Sequence, residues 1–405
     1  MKKKFKVGII GNGGRSTTYA RDFALFDEIQ VVAIADPCTE NSDRMLQVSH
    51  LDTSALRRYS DWRELHEKET DLDGVVISTP NYLHHEPAVA FIRRNIPIAL
   101  EKPLTTSMGD SEYILDAVRE HNARLIVGFV LRSTPFYRTI YDLISGGRIG
   151  RLVTVQADEL ASYGVSSILS RGLWRRFSRT SGGTMMEKSS HDMDILNWMT
   201  NARPVSVNSY GGRLVFRPNP MLPERCADCK LKDSCNYYSN PRFDPKAGDA
   251  ILHKFLREGS GECIYNVDKD VFDNQGVSVL YSNGAVANFM LSLNCSGERS
   301  GRNFHAVGVR GRIWGNFSDP EIRLYDNLAN RVEVIKLPKI SSPHKGVDSH
   351  PYELLKMMKD ASYRPEQDAY AGYLSNALCI AADLSAGEAR QIHFRYDANG
   401  YVTFA

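Results

Sequence analysis

Glu187, His191 and Asp194 stand four and three positions apart in the stretch Thr184 to Met199, a spacing that sets all three on one face of a helix. A carboxylate one turn from an imidazole can orient the ring and hold its proton ready for transfer. Met185, Met193, Leu196 and Met199 are placed to pack the rest of that helix. Two readings stand here: ionisable groups gathered into a site, or a solvated helix face with an ordinary Glu–His pair. Lys102, held between Glu101 and Pro103, is the second candidate. A half-desolvated amine can be tuned toward neutral pH and then bind or deprotonate a hydroxyl; the plainer reading is a surface lysine. The third is Gly11-Asn12-Gly13-Gly14-Arg15-Ser16. Glycines let a strand turn tightly and let backbone N–H groups approach a pyrophosphate at the positive end of the next helix.

The elements that must position these residues follow from the apolar pattern. Val7 to Ile10 leads into the glycines, a helix follows, and a second apolar run, Ile29 to Ala35, stops on Asp36. That is a dinucleotide-binding βαβ layout, with an acid about twenty positions on to hydrogen-bond the ribose. Pro37 rather than an arginine after Asp36 favours NAD, while Arg15 keeps NADP open. The β-then-α order continues through strands at Leu56–Tyr59, Gly74–Ser78, Ile98–Leu100 and Leu125–Gly128, with helices at Asp61–Glu69, Tyr82–Asn95 and Ser107–Asn122. This predicts an α/β fold whose N-terminal part is a Rossmann doubly wound parallel sheet. Ligands bind beyond the carboxyl ends of such strands, where Gly11, Asp36, Thr79-Pro80-Asn81 and Glu101-Lys102 fall.

After about Leu131 the pattern changes. Pro135–Gly146 reads as a helix, Arg151–Glu159 as a strand, and Ser282-Asn283-Gly284 as the turn of a hairpin between Val277–Tyr281 and Ala285–Leu293, because Asn-Gly accepts the positive φ of a tight turn. Alternating stretches from His305 to Leu337 extend a mostly antiparallel sheet, and Tyr352–Asp360, Ala369–Ala386 and Arg390–Arg395 close the chain with helices and a strand. We therefore expect an NAD-binding domain over 1–131, a second domain of α+β type over 132–350 with an irregular cysteine-bearing insertion at 217–261, and completing elements over 351–405. A chain of 405 residues suits more than one core.

Net charge is only +2, from 50 basic and 48 acidic residues mixed along the chain, which argues against nucleic acid as a partner. No run approaches the roughly eighteen apolar residues of a membrane span, and the apolar stretch near the start is too short for a signal peptide. A cytoplasmic protein with free thiols is expected from seven cysteines, an odd number in a long chain.

Gly11-Asn-Gly-Gly-Arg15, Asp36, Ser78-Thr79-Pro80-Asn81 with His84, Glu101-Lys102-Pro103-Leu104, Gly150 before a long strand, and Gly182-Gly183 followed by Glu187, His191 and Asp194 together resemble the glucose–fructose oxidoreductase / inositol dehydrogenase / MocA family. The resemblance covers nearly the whole chain. It implies hydride transfer between a nicotinamide cofactor and a CH–OH carbon of a sugar or cyclitol, and a C-terminal open-faced sheet that mediates homodimers or homotetramers. It makes Gly11, Asn12, Gly13, Gly14, Arg15, Asp36, Thr79, Pro80, Asn81, His84, Glu101 and Lys102 cofactor-binding positions. It also makes Lys102, whose bond to Pro103 is often cis in relatives, the active-site lysine, and His191 the acid–base histidine. Glu187 stands where the family commonly has Asp and Ser189 where it commonly has Gly; Lys188, Asp192 and Asp194 are placed to meet substrate. An alternative within the family is transient oxidation, elimination of a glycosidic group and return of the hydride, with Glu187, Lys188 and Asp192 carrying the extra proton traffic. A second is a cofactor-binding sensor without activity, against which both Lys102 and His191 stand.

Two further groups carry open alternatives. Cys226-x-x-Cys229 with Cys235 and Cys263 could supply four thiolates to a structural zinc, or pack as reduced thiols in the irregular insertion. His344 and Asp348 precede the last helices, as in sugar-acting relatives, and either reach the substrate or belong to a polar loop.

Overall fold

Strand β1 (Phe5–Ile10) is an apolar run whose last four residues are buried, as a central strand covered on both faces requires. It lies between β2 (Ile29–Ala35) and β4 (Gly74–Ile77), parallel to both. With β3 (Arg57–Tyr59), β5 (Ile98–Leu100) and β6 (Leu125–Val127) these strands form a six-stranded sheet in the order β3-β2-β1-β4-β5-β6. All its pairings are parallel, so the Rossmann expectation holds. Two helices on the sheet start at a capping side chain: Asp61 accepts from Arg63 N and Ser107 from Asp110 N.

The second sheet has ten strands: β7 (Leu152–Leu160), β8 (Pro204–Gly212), β9 (Asn274–Tyr281), β10 (Val286–Ser292), β11 (Asn303–Gly308), β12 (Gly311–Asn316), β13 (Glu321–Asp326), β14 (Arg331–Lys336), β15 (Ile392–Tyr396) and β16 (Val402–Phe404). Their order is β14-β13-β12-β11-β7-β10-β9-β8-β15-β16. Among the described residues of this sheet only β7 and β10 pair in parallel; the other ladders are antiparallel. Burial alternates along β9, buried at Val277 and Val279 and exposed at Gly276, Ser278 and Leu280. One face is therefore covered and the other open.

This computed structural model describes residues 4–238, 261–297, 300–338 and 350–405. The chain forms two compact units: residues up to Val130, joined by 350–376, and residues from Leu131 onward, closed by Ala377–Ala405. The C-terminal stretch thus divides between the two, within the single helix Ala369–Glu388. Among the described residues no helix is long and apolar enough to cross a membrane.

Candidate active site

In the first unit the glycine loop does what its residue types demand. Gly11 has φ +79, and a Cβ there would lie 2.8 Å from Ser78 O and Thr79 N, so no other residue fits without backbone movement. Ser16, in the place of the usual third small residue, donates to the Gly11 carbonyl and tucks the helix Gly14–Phe23 against the strand ends. A Cβ on Gly13 would meet nothing within 4 Å. The helix begins there with no side-chain cap and no acid in its first turn, leaving its positive end available to an anion. Asp36 directly follows β2 and accepts from Asn12 N at 2.6 Å and Cys38 N at 2.8 Å. Asn12 Oδ1 and Thr79 Oγ1 are buried and have no hydrogen-bond partner among the described residues, a cost unless something else supplies donors. An open glycine, an uncapped helix start and two orphaned polar atoms at the carboxyl ends of the strands fit a dinucleotide.

Glu101 is buried and its Oε1 accepts from Arg15 Nε at 3.0 Å. Lys102 beside it is half-buried, and its bond to Pro103 is cis. His84 is buried with Nδ1 2.8 Å from Pro103 O and Nε2 3.0 Å from Thr79 O, so one imidazole ties the Thr79-Pro80-Asn81 loop to the Lys102-Pro103 turn. Burial holds His84 below its ordinary value, against the pull of those two carbonyls. A buried ring with both nitrogens on backbone positions the two loops.

The second unit holds the helix Gly183–Thr200. It starts after Gly182 (φ +81), and at Gly183 (φ +89) a Cβ would come within 2.7 Å of Asp383 Oδ2. Every residue of this helix is buried except Lys188, so it is not the solvated face that the polar spacing also allowed. Its methionines pack as expected, and the charges are buried with partners. Glu187 Oε1 accepts from Arg175 Nε at 2.8 Å, and Asp194 Oδ2 from Arg132 Nε at 2.7 Å. Asp192 takes Arg302 on both oxygens, at 2.6 and 3.1 Å. Arg302 Nη1 also lies 2.8 Å from Glu159 Oε2, and Lys188 Nζ lies 3.2 Å from Glu159 Oε1. Burial pushes Asp192 up to about 6 despite Arg302. Glu159 feels the same burial, but Arg302 and Lys188 together bring it below its usual range. Arg132, Glu159, Arg175 and Arg302 were not singled out by spacing. Only Arg175 had a local signal, the Trp174-Arg175-Arg176-Phe177 run just before the helix, where its guanidinium carbon sits 4.1 Å from the Trp174 ring centroid.

The zinc expectation is corrected. Among the described residues no group of three or more His, Cys, Asp or Glu could hold a metal, so Cys226, Cys229, Cys235 and Cys263 do not form a thiolate cage. A cation of the chain's own stands beside them: buried Arg171 points Nη2 at Cys226 Sγ (3.8 Å) and Tyr237 O (2.7 Å), and Nε at Glu262 O (2.8 Å). A fixed guanidinium repels a second cation and satisfies the carbonyls there. His344 and Asp348 lie outside the described residues.

Comparison with known proteins agrees with this architecture. Residues 5–129 match the family described as "Oxidoreductase family, NAD-binding Rossmann fold", and residues 137–314 match the "GFO/IDH/MocA C-terminal domain". The protein named "Putative oxidoreductase YteT" of Bacillus subtilis (strain 168) is 29% identical over 339 residues, 76% of this chain and 77% of that protein. Levoglucosan dehydrogenase of Pseudarthrobacter phenanthrenivorans is 25% identical over 334 residues, 78% of this chain and 74% of that one. A solved structure of levoglucosan dehydrogenase in complex with NADH and levoglucosan superposes with a TM-score of 0.76 at 18% identity, covering 96% of this chain and 99% of that chain. The two domain matches, in the order that the two sheets require, make this chain a member of the GFO/IDH/MocA oxidoreductase family.

Proposed function

We propose that the protein is an NAD-dependent dehydrogenase of a sugar, sugar derivative or cyclitol, transferring hydride from a CH–OH carbon. The observation that carries this is the strand-end constellation of Gly11, open Gly13, Asp36 and the orphaned Asn12 and Thr79 atoms, in a chain whose family members include levoglucosan dehydrogenase. Gly13, Gly14 and the helix start hold the pyrophosphate, Asp36 the adenosine ribose, the Asn12 amide oxygen accepts from a hydroxyl or amide N–H of the cofactor because its N–H and Nδ2 are already given to Asp36 and Ser42, and Thr79 meets the other end of the cofactor; Pro80 and Asn81 shape that loop. When bound, NAD supplies the hydride acceptor. Lys102 binds the substrate hydroxyl and His191 takes its proton, with Glu187 fixing the electrostatics of the helix beside it. Arg15 supports NAD over NADP, because its guanidinium is engaged by Glu101. Glu187, Lys188 and Asp192 each face an opposite charge, which weakens the case for spare proton carriers in an elimination pathway.

The test is a panel of sugars, cyclitols and glycosides with NAD and with NADP. NADH absorbance on at least one polyol is expected; cleavage without net NADH would select the elimination reading, and neither signal would remove both. We further infer that copies associate through the open face of the ten-stranded sheet. There Leu280 pairs with Val286 in register, and Tyr210 and Met290 flank Gly276, all four side chains being exposed. Light scattering should give a dimer or larger for the native chain and a monomer for Met290→Lys; a monomeric native chain removes the inference. With all seven cysteines as thiols, the reducing cytoplasm is the proposed compartment, which cell fractionation tests.

A further inference from the structure

The one residue of the Gly183–Thr200 helix that is not buried is a lysine. Lys188 stands three residues before His191 and four before Asp192, so the three side chains share a helix face. Its side chain is 20% exposed, while those of Glu159, Asp192 and Arg302 behind it are 4%, 4% and 10% exposed. The four groups form a chain, Lys188 to Glu159 to Arg302 to Asp192, with charges alternating and summing to zero when all are ionised. Burying such a chain is costly, and its desolvation is recovered only where each link is well made. The firmest link is Asp192, with both oxygens hydrogen-bonded to Arg302; Glu159 faces Lys188 with Oε1 and Arg302 with Oε2 as ion pairs, its Oε2 having no hydrogen-bond partner among the described residues.

The effect of this arrangement falls on the exposed end. An ammonium has three donors and no acceptor. The Glu159 carboxylate fixes one direction, and the partial exposure of Lys188 leaves the others facing outward. Because Glu159 is shared with Arg302, and Arg302 is in turn balanced by Asp192, the region has no surplus positive charge with which to attract an anion. It offers directed N–H donors to an uncharged oxygen.

We propose that Lys188 is a substrate-binding residue that donates to a hydroxyl or ether oxygen of a neutral polyol, and that Glu159, braced by Arg302 and Asp192, is the positioning residue that aims it. The inference rests on the dehydrogenase reading and adds to it a residue and a preference: neutral polyols over sugar acids.

The experiment is thermal melting of the full chain with saturating NADH, adding myo-inositol, glucose, levoglucosan or glucuronate, for the native protein, Lys188→Met, Lys188→Arg, Glu159→Gln and Glu159→Asp. A ligand present at about tenfold its Kd should raise the native Tm by about 2 °C. The proposal expects such a rise with at least one neutral polyol and none with glucuronate at pH 7.5. The rise should be lost in Lys188→Met, mostly lost in Glu159→Gln and partly restored in Lys188→Arg and Glu159→Asp, with the shift caused by NADH alone unchanged in every variant. A polyol shift equal in the native protein and Lys188→Met overturns the inference and leaves the dehydrogenase reading standing. Loss of the NADH shift together with the polyol shift in Lys188→Met also overturns it, since the lysine would then act through the fold. A native chain that no polyol shifts overturns both this inference and the reading on which it rests.

Discussion

The nucleotide end of the first unit and the charged helix of the second do related work with opposite materials. Around Gly11 the functional groups are backbone N–H groups, a carboxylate that itself accepts from the backbone, and small side chains that leave space. Around His191 they are ionised side chains, each opposed by a counter-charge from another part of the chain. A site made of backbone tolerates change wherever the path of the chain is kept. A site made of buried ion pairs does not, because removing one partner strands the other in low dielectric.

The largest effect is expected at Arg302, which serves Asp192 and Glu159 together. Arg302→Met should cost about 3–5 kcal/mol in urea unfolding, while Arg302→Met with Asp192→Met should recover much of it, since apolar residues of similar volume replace a buried pair at little loss. A single substitution that costs no more than the double would erase the contrast between the regions. Next come the two glycines. Gly11→Ala meets both a positive φ and a backbone contact, so it should lose more than about 1 kcal/mol together with NADH binding. Gly13→Ala has open space, so stability should stay within about 0.5 kcal/mol while the Kd for NADH, from fluorescence titration, rises about tenfold or more. Equal destabilisation by both would mean that the second glycine serves the fold and not the ligand.

A pH-dependent effect concerns Asp383, which abuts the start of the charged helix and accepts from Gln275 Nε2 at 3.0 Å. Burial pushes it up to about 7, against the pull of Gln275. The folded chain therefore holds a proton that the unfolded carboxyl, near about 3.9, has released. That stability is fully present below about pH 4 and is lost as pH rises through about 7. Asp383→Asn should flatten the dependence of stability on pH across that window and raise Tm at pH 8; an unchanged slope would show that Asp383 is ionised throughout.

The same contrast explains what was legible in the sequence. The glycine loop, Asp36 and the strand ends were readable because all lie within about a hundred residues in an order that one βαβ principle dictates. The helix carrying Glu187, His191 and Asp194 was readable from its period, but its burial was not. Arg302 lies 110 positions from Asp192 and Arg132 lies 62 from Asp194, and no local rule connects such pairs. The helix Tyr163–Arg171 and the strand β8 also escaped the periodic reading. The cysteines left two readings open for a related reason: Cys-x-x-Cys spacing is local, whereas the arginine that stands beside them comes from position 171.

The most direct test of the central claim, that a backbone-built site binds the cofactor while separate side chains perform the chemistry, is NADH titration alongside turnover of the best polyol for Lys102→Ala and His191→Asn. The account predicts that Kd stays within about threefold of the native value while kcat falls about a hundredfold or more. Parallel losses in Kd and kcat, or full activity in either variant, would contradict it.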